Sequence, residues 1–167
     1  MMLNNFANWR AWIDKNPTNG SIGIADTSIG VKNISGKNAP INFIQNNNSS
    51  KNWSMRTDLS VQLGSGTTEV TPNDYFLDTV ISDGNFSNLA LAVSASGGSG
   101  KIETVFTITG VNSSNATQNI TEIAIIKKLY YSNNSSNLVM IMRGLLSEPL
   151  SVPSGEGFTI NYKWDEA

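Results

Sequence analysis

Hydrophobic and polar positions alternate most cleanly at the end of the chain. Phe158, Ile160, Tyr162 and Trp164 fall on one face of an extended segment, with Thr159, Asn161, Lys163 and Asp165 on the other. A period of two is what a half-buried β-strand requires. The same period, less perfect, predicts strands over Asp58–Leu63, Leu89–Val93 and Lys101–Ile108, and the apolar run Leu138–Met142 predicts another. Ile120–Ile126 is apolar on both faces and reads as a central strand. Tyr75–Ile81 follows Pro72-Asn-Asp74 and reads as a strand or a short helical turn. Gly/Asn/Ser turns separate these segments, giving six or seven strands between Trp53 and Trp164. That pattern predicts a mainly β fold, an antiparallel β-sandwich of Ig-like or jelly-roll-like kind.

The beginning of the chain follows a different period. Leu3, Phe6, Trp9 and Ile13 recur at three- and four-residue spacing, and Trp12 widens the stripe. This predicts an amphipathic helix over residues 1–16, stopped by Asn16-Pro17. Such a helix either plugs one end of its own sandwich or docks on a partner, because two tryptophans are costly to leave in water. Residues 17–52 are poor in core-forming positions and punctuated by glycine, which predicts an extended arm. The expected organisation is therefore a helix (1–16), an arm (17–52) and a sandwich domain (53–167).

Composition narrows the chemistry. The 167 residues include neither cysteine nor histidine. Disulfide frameworks, thiolate nucleophiles, the usual structural zinc sites and histidine-based triads are thereby excluded. Only 14% of residues are charged, the net charge is −2, and Lys127-Lys128 is the sole basic doublet, so no stripe suited to nucleic acid is present. Nothing approaches the roughly 20 apolar residues of a membrane span. Met1–Asp14 lacks the basic start and apolar run of a secretory signal.

Motifs that look chemical read better as scaffold. Gly97-Gly-Ser-Gly-Lys101 resembles a phosphate loop, but Ile102 stands where Ser or Thr is needed and a strand follows instead of a helix. Asp74, Asp78, Asp83 and Glu122 offer carboxylates for an acid–base pair or a calcium ion, yet Asp and Asn beside Gly are ordinary turn formers. Glu122, alone on an apolar strand, is expected to pair with a cation such as Arg143 or to face water at a sheet edge. Trp53, Tyr130 and Tyr131 are candidates for stacking on a sugar or for capping the core. No catalytic, cofactor-binding or metal-binding residue is nominated.

Three segments together resemble small virion proteins of tailed bacteriophages. Leu63-Gly-Ser-Gly-Thr-Thr-Glu-Val-Thr-Pro-Asn-Asp-Tyr75-Phe-Leu77 is similar to their G-x-G-T-T-x-x-T-x-x-D-Y-x-L segment. Asn119-Ile-Thr-Glu-Ile-Ala124 resembles a V-T-E-I-G-L strand, and Met142–Tyr162 resembles a closing R-x-x-L-S-x-P-x-x-V-x-x-G-E segment. The opening Leu-Asn-Asn-Phe-x-x-Trp helix also occurs among them. The resemblance implies a non-enzymatic structural protein of the virion, made in the host cytoplasm. Its role would be capsid decoration or head fibre, or else a tail or tail-fibre component. Other virion proteins would be its partners, and analogy with the family implies a homo-oligomer, a trimer. The residues expected to hold a partner are Leu3, Phe6, Trp9, Trp12 and Ile13. A host-surface glycan is a further possible partner, and a carbohydrate-binding adhesin module is the reading from a different class.

Overall fold

In a computed structural model the structure describes residues 3–4, 7–8, 31–37, 59–98, 101–132 and 135–166. The protein is mainly β. Its strands are β1 (Leu59–Gly64), β2 (Phe86–Gly98), β3 (Lys101–Asn112), β4 (Gln118–Ser132), β5 (Ser135–Val152) and β6 (Gly157–Glu166). They form two antiparallel three-stranded sheets, β1-β4-β5 and β2-β3-β6.

One core lies between the sheets. β1 contributes Val61 and Leu63, β4 contributes Ile120, Ile123 and Ile125, and β5 contributes Met142. From the other sheet come Phe86, Phe106, Ile108, Phe158 and Ile160. The rings of Phe86 and Phe158 meet edge-on at 5.6 Å, a favourable arrangement of their quadrupoles. Gly110 lies beneath Phe158, where a Cβ would collide with the ring, and Gly144 of β5 leaves room in the same way for Tyr162 of β6. The alternation read in the last strand is kept: Phe158 and Ile160 are buried while Thr159, Asn161 and Lys163 are exposed.

β4 is the central strand of its sheet, as its apolar run predicts, because both its faces are covered. Ile123 and Ile125 face the shared core, while Ala124 and Ile126 face outward beneath a second apolar cluster with Met140, Leu77 and Leu3. Ile34 and Val70 pack against that cluster. Leu3 and residues from 31–37 therefore join the outer layer of the β1-β4-β5 sheet. Leu3 N–H donates to Ile141 O (3.3 Å) and Ile34 N–H to Leu138 O (3.1 Å) along the edge of β5.

One expectation is corrected. Tyr75–Ile81 is neither strand nor helical turn; it is a loop with a single bridge, Val80 to Gly64, for the reason given below. The tight turn before β6 uses a positive φ at Gly155 (82°) but not at Gly157, which starts the strand extended. Of the expected N-terminal helix, Asn4, Ala7 and Asn8 are helical, with Ala7 N–H donating to Leu3 O at 3.3 Å.

Candidate functional site

The most concentrated chemistry sits on the outer face of the β1-β4-β5 sheet, beneath the loop that joins β1 to β2. Glu122 on β4 is fully buried and Arg143 on β5 is 3% exposed. Both lie on the face of Ala124 and Ile126, since Arg143 stands opposite Ala124 in the ladder and Glu122 is two residues away on β4. Two charges this deep are tolerable only when paired and hydrogen-bonded.

Their pairing is extensive. Arg143 Nε and Nη2 both donate to Glu122 Oε2, at 2.9 and 2.7 Å. Nη1 donates to Asp74 Oδ2 at 2.7 Å, and Nη2 also reaches Thr68 O at 3.1 Å. The planar guanidinium suits this task, because its fork of donors addresses two carboxylates and a carbonyl at once. Glu122 also accepts from three backbone amides of the loop: Gly66 N–H (3.1 Å) and Thr79 N–H (2.9 Å) on Oε1, and Asp78 N–H (3.2 Å) on Oε2.

This network explains why Tyr75–Ile81 is not a strand. The amides of Asp78 and Thr79, which a ladder would use, are bound to the Glu122 carboxylate. The loop closes on itself elsewhere too. Thr71 donates its hydroxyl to Asp74 Oδ1 (2.6 Å) and its N–H to Oδ2 (3.0 Å), and Thr68 Oγ1 donates to Asp78 Oδ2 (2.8 Å). Thr121 Oγ1 donates to Gly66 O at 2.6 Å, tying the loop to β4 from a second point.

The glycines of the loop are steric requirements. A Cβ on Gly64 or on Gly66 would run into the Glu122 carboxylate, and on Gly64 also into the backbone oxygen of Thr79.

Burial alone would raise the pKa of Asp74, but hydrogen bonds from Thr71 and the Arg143 guanidinium outweigh it and hold the carboxyl below its ordinary range. Burial would likewise weaken the charge on Arg143; its bonds to Asp74 and Glu122 outweigh that and keep it protonated at any ordinary pH. Chemically, the arrangement is a closed charge cluster: an arginine held between two carboxylates, with the Glu122 carboxylate occupied by loop amides. It fixes a loop over the sheet.

A second buried polar side chain organises the turn between β3 and β4. Asn112, fully buried at the end of β3, donates from Nδ2 to Ala116 O and Val152 O, both at 2.8 Å. Its Oδ1 accepts from Ser114 N–H (3.0 Å) and Ser114 Oγ (2.7 Å), which shapes the β3–β4 turn. Sequence reasoning passed over Asn112; the Asn-Ser-Ser triplet is the signal for a side-chain-capped turn.

Among the residues singled out from sequence, the expected Glu122–Arg143 pair is present, and Asp74 joins it. Asp78 belongs to the same loop, whereas Asp83 lies in a short 3-10 turn, Asp83–Asn85, apart from it. Among the described residues no cluster of three or more acidic side chains is placed to hold a metal ion. Leu3 is fully buried against its own sheet. Phe6, Trp9, Trp12, Ile13 and Trp53, and the side chains of Tyr130 and Tyr131, lie outside the described residues. Among the described residues no helix is long and apolar enough to cross a membrane.

Comparison with protein-family models, with curated proteins and with solved structures finds no match to this chain.

Proposed function

We propose that the chain is a non-enzymatic structural protein of a tailed-bacteriophage virion. In this reading it is a capsid-surface decoration or head-fibre protein, folded as a β-sandwich and attached through its N-terminal helix and arm. One observation carries the reading. The three sequence segments that resemble virion proteins, distant along the chain, supply the members of one buried network: Gly64, Gly66, Thr68 and Asp74 from the first, Glu122 from the second and Arg143 from the third. Residues shared for that reason are scaffold residues, which supports a particle component and not a turnover site.

Docking falls to Phe6, Trp9, Trp12 and Ile13, because Leu3 is already used in the protein's own outer layer. Deleting residues 1–16 would therefore uncover Leu77, Ala124, Ile126 and Met140 as well as remove the helix. The cleaner test is to replace Phe6, Trp9, Trp12 and Ile13 with polar residues while keeping Leu3. The variant is expected to fold and to be missing from assembled particles; incorporation at the normal level would refute attachment through this helix.

Cryo-electron microscopy of intact particles tests the role itself. Density repeated over the head lattice is the expected result, and density confined to the neck or tail would make the protein a tail component. Absence from particles would remove the virion reading and leave the carbohydrate-binding adhesin. That alternative requires glycan binding lost on changing Trp53, Tyr130 or Tyr131 to Ala.

A further inference from the structure

The two sheets present four edge strands, β1, β5, β2 and β6, and an edge is a row of unpaired N–H and C=O groups that invites another strand. Three of the four are blunted. β1 is only six residues long. β2 is broken by a bulge between Ser87 and Ala90, with Asn88 at a positive φ of 53°, and it runs out in Gly97-Gly98. β5 contains Pro149, carries several register shifts, and is met along its edge by the amides of Leu3 and Ile34. Among the described residues β6 has none of these devices. Its register with β3 is unbroken from Gly157 to Glu166, it contains no proline, and its interior is β-branched and aromatic.

The direction of its free groups follows from the ladder. Asn112 N–H bonds Glu156 O, and Val111 stands opposite Gly157, so Phe158, Ile160 and Tyr162 turn their backbone groups toward β3. Thr159, Asn161 and Lys163, with Gly157 and Asp165 at the ends, turn theirs outward. Among the described residues no backbone group of β6 bonds anything beyond β3.

We infer that β6 is a homotypic docking edge: two copies pair their β6 strands antiparallel across a two-fold axis at Asn161, joining two three-stranded sheets into one of six strands. The edge is self-complementary in this register. Asn161 faces its own counterpart, Thr159 faces Lys163 of the second copy, and Ile160 faces Tyr162, so the apolar stripe continues from one core to the next. Every outward N–H meets an outward C=O, because the paired positions are all of the same parity. Lysine on an edge usually repels a neighbour, but here the Lys163 ammonium lies 3.2 Å from Glu103 of the same sheet, and the register keeps the two lysines off each other. A second copy is the occupant that this complementarity favours over an unrelated strand. Strand pairing alone buries less than the ~1,200 Å² of a standard stable interface, so the pair is expected to be weak in dilute solution. The inference concerns the isolated chain and does not depend on the virion reading.

Sedimentation equilibrium of the full chain over a wide concentration range tests it, with three single variants. Asn161→Pro removes an outward N–H and leaves the β3 ladder intact; Thr159→Lys sets a cation opposite Lys163 of the second copy. Ser94→Lys, exposed on the β2 edge, is the control. A monomer–dimer equilibrium is expected, its dissociation constant raised at least about tenfold, or 1.4 kcal/mol, by either β6 variant and unchanged in the control. Far-ultraviolet circular dichroism checks that each variant folds, and Thr159→Lys carries the test should the proline variant misfold. A chain that stays monomeric at every concentration, a trimer, or a dimer indifferent to the β6 changes would each overturn the proposal.

Discussion

Arg143 and Glu122 are 21 positions apart in the chain, yet Nη2 of one lies 2.7 Å from Oε2 of the other, with side chains 3% and 0% exposed. This contact joins neighbouring strands β4 and β5 and, through Asp74 and Thr68, fastens the β1–β2 loop over their outer face. A buried pair of this kind gains little over a well-packed apolar pair, but losing one partner leaves the other charged and stranded.

Replacing Arg143 with Met is therefore expected to destabilise the protein by about 3–5 kcal/mol, since the buried Glu122 carboxylate would lose the guanidinium and both hydrogen bonds it donates. Chemical denaturation measures the loss. A double-mutant cycle with Glu122→Gln should return a coupling energy well above zero; additive effects would mean that the pair acts as two independent groups.

Gly66→Ala tests the steric side of the same site. The new Cβ would press on Glu122 Oε1 and on the side chain of Asp78, so the loop must lift from the sheet. A cost of about 2–3 kcal/mol is expected, in the range of overpacking, together with faster hydrogen exchange at the amides of Asp78 and Thr79. A stability equal to the parent protein would show that the loop has slack.

Acid should loosen the loop through Asp74. Its folded pKa lies below the ordinary aspartate value of 3.8, so its contribution is complete above that value and is lost as the pH falls through the lower, folded pKa. Stability followed by thermal melts should fall through that acidic window, and Asp74→Asn should flatten the part of the slope that Asp74 supplies. An unchanged slope in Asp74→Asn would assign the acid sensitivity to other carboxylates.

At the alkaline end Tyr162 works in the opposite direction. Burial raises its pKa above 10.0, so the neutral phenol is favoured in the folded protein. The stabilisation it brings is complete below the ordinary tyrosine value and is lost as the pH rises through the folded one. Ultraviolet titration should show a tyrosine component ionising above the ordinary tyrosine value, and Tyr162→Phe should remove it.

Leu3→Ala measures how firmly the N-terminal segment is held. Leu3 is fully buried against Leu77, Ala124, Ile126 and Met140, so truncating it leaves a cavity worth about 2–5 kcal/mol. A loss below about 1 kcal/mol would mean that the outer cluster collapses readily to fill the space.

Most of the strand pattern was legible in the sequence because burial on a sheet repeats every two residues. Phe158–Trp164 and Lys101–Ile108 showed it directly, and the doubly apolar Ile120–Ile126 announced a strand covered on both faces. The Glu122–Arg143 pair was legible for a related reason: a lone carboxylate on an apolar strand needs a cation. Tyr75–Ile81 misled, because its apolar residues fit a strand while its amides bind a side chain from another part of the chain. Asn112 went unread because an Asn before two serines looks like surface until the turn folds back over it.

The β class, the places of the turns, the central position of β4 and the want of histidine or cysteine chemistry could be read along the chain. These depend on local period and composition, which neighbouring residues express on their own. Folding in three dimensions settled that the β1–β2 loop forms an outer layer, that Asp74 shares Arg143 with Glu122 and that Leu3 belongs to the protein's own packing. Those features join residues as far apart as Leu3 and Ile141, and no local pattern encodes them. They follow from burial, which obliges each charge and amide taken out of water to find a partner wherever the fold provides one.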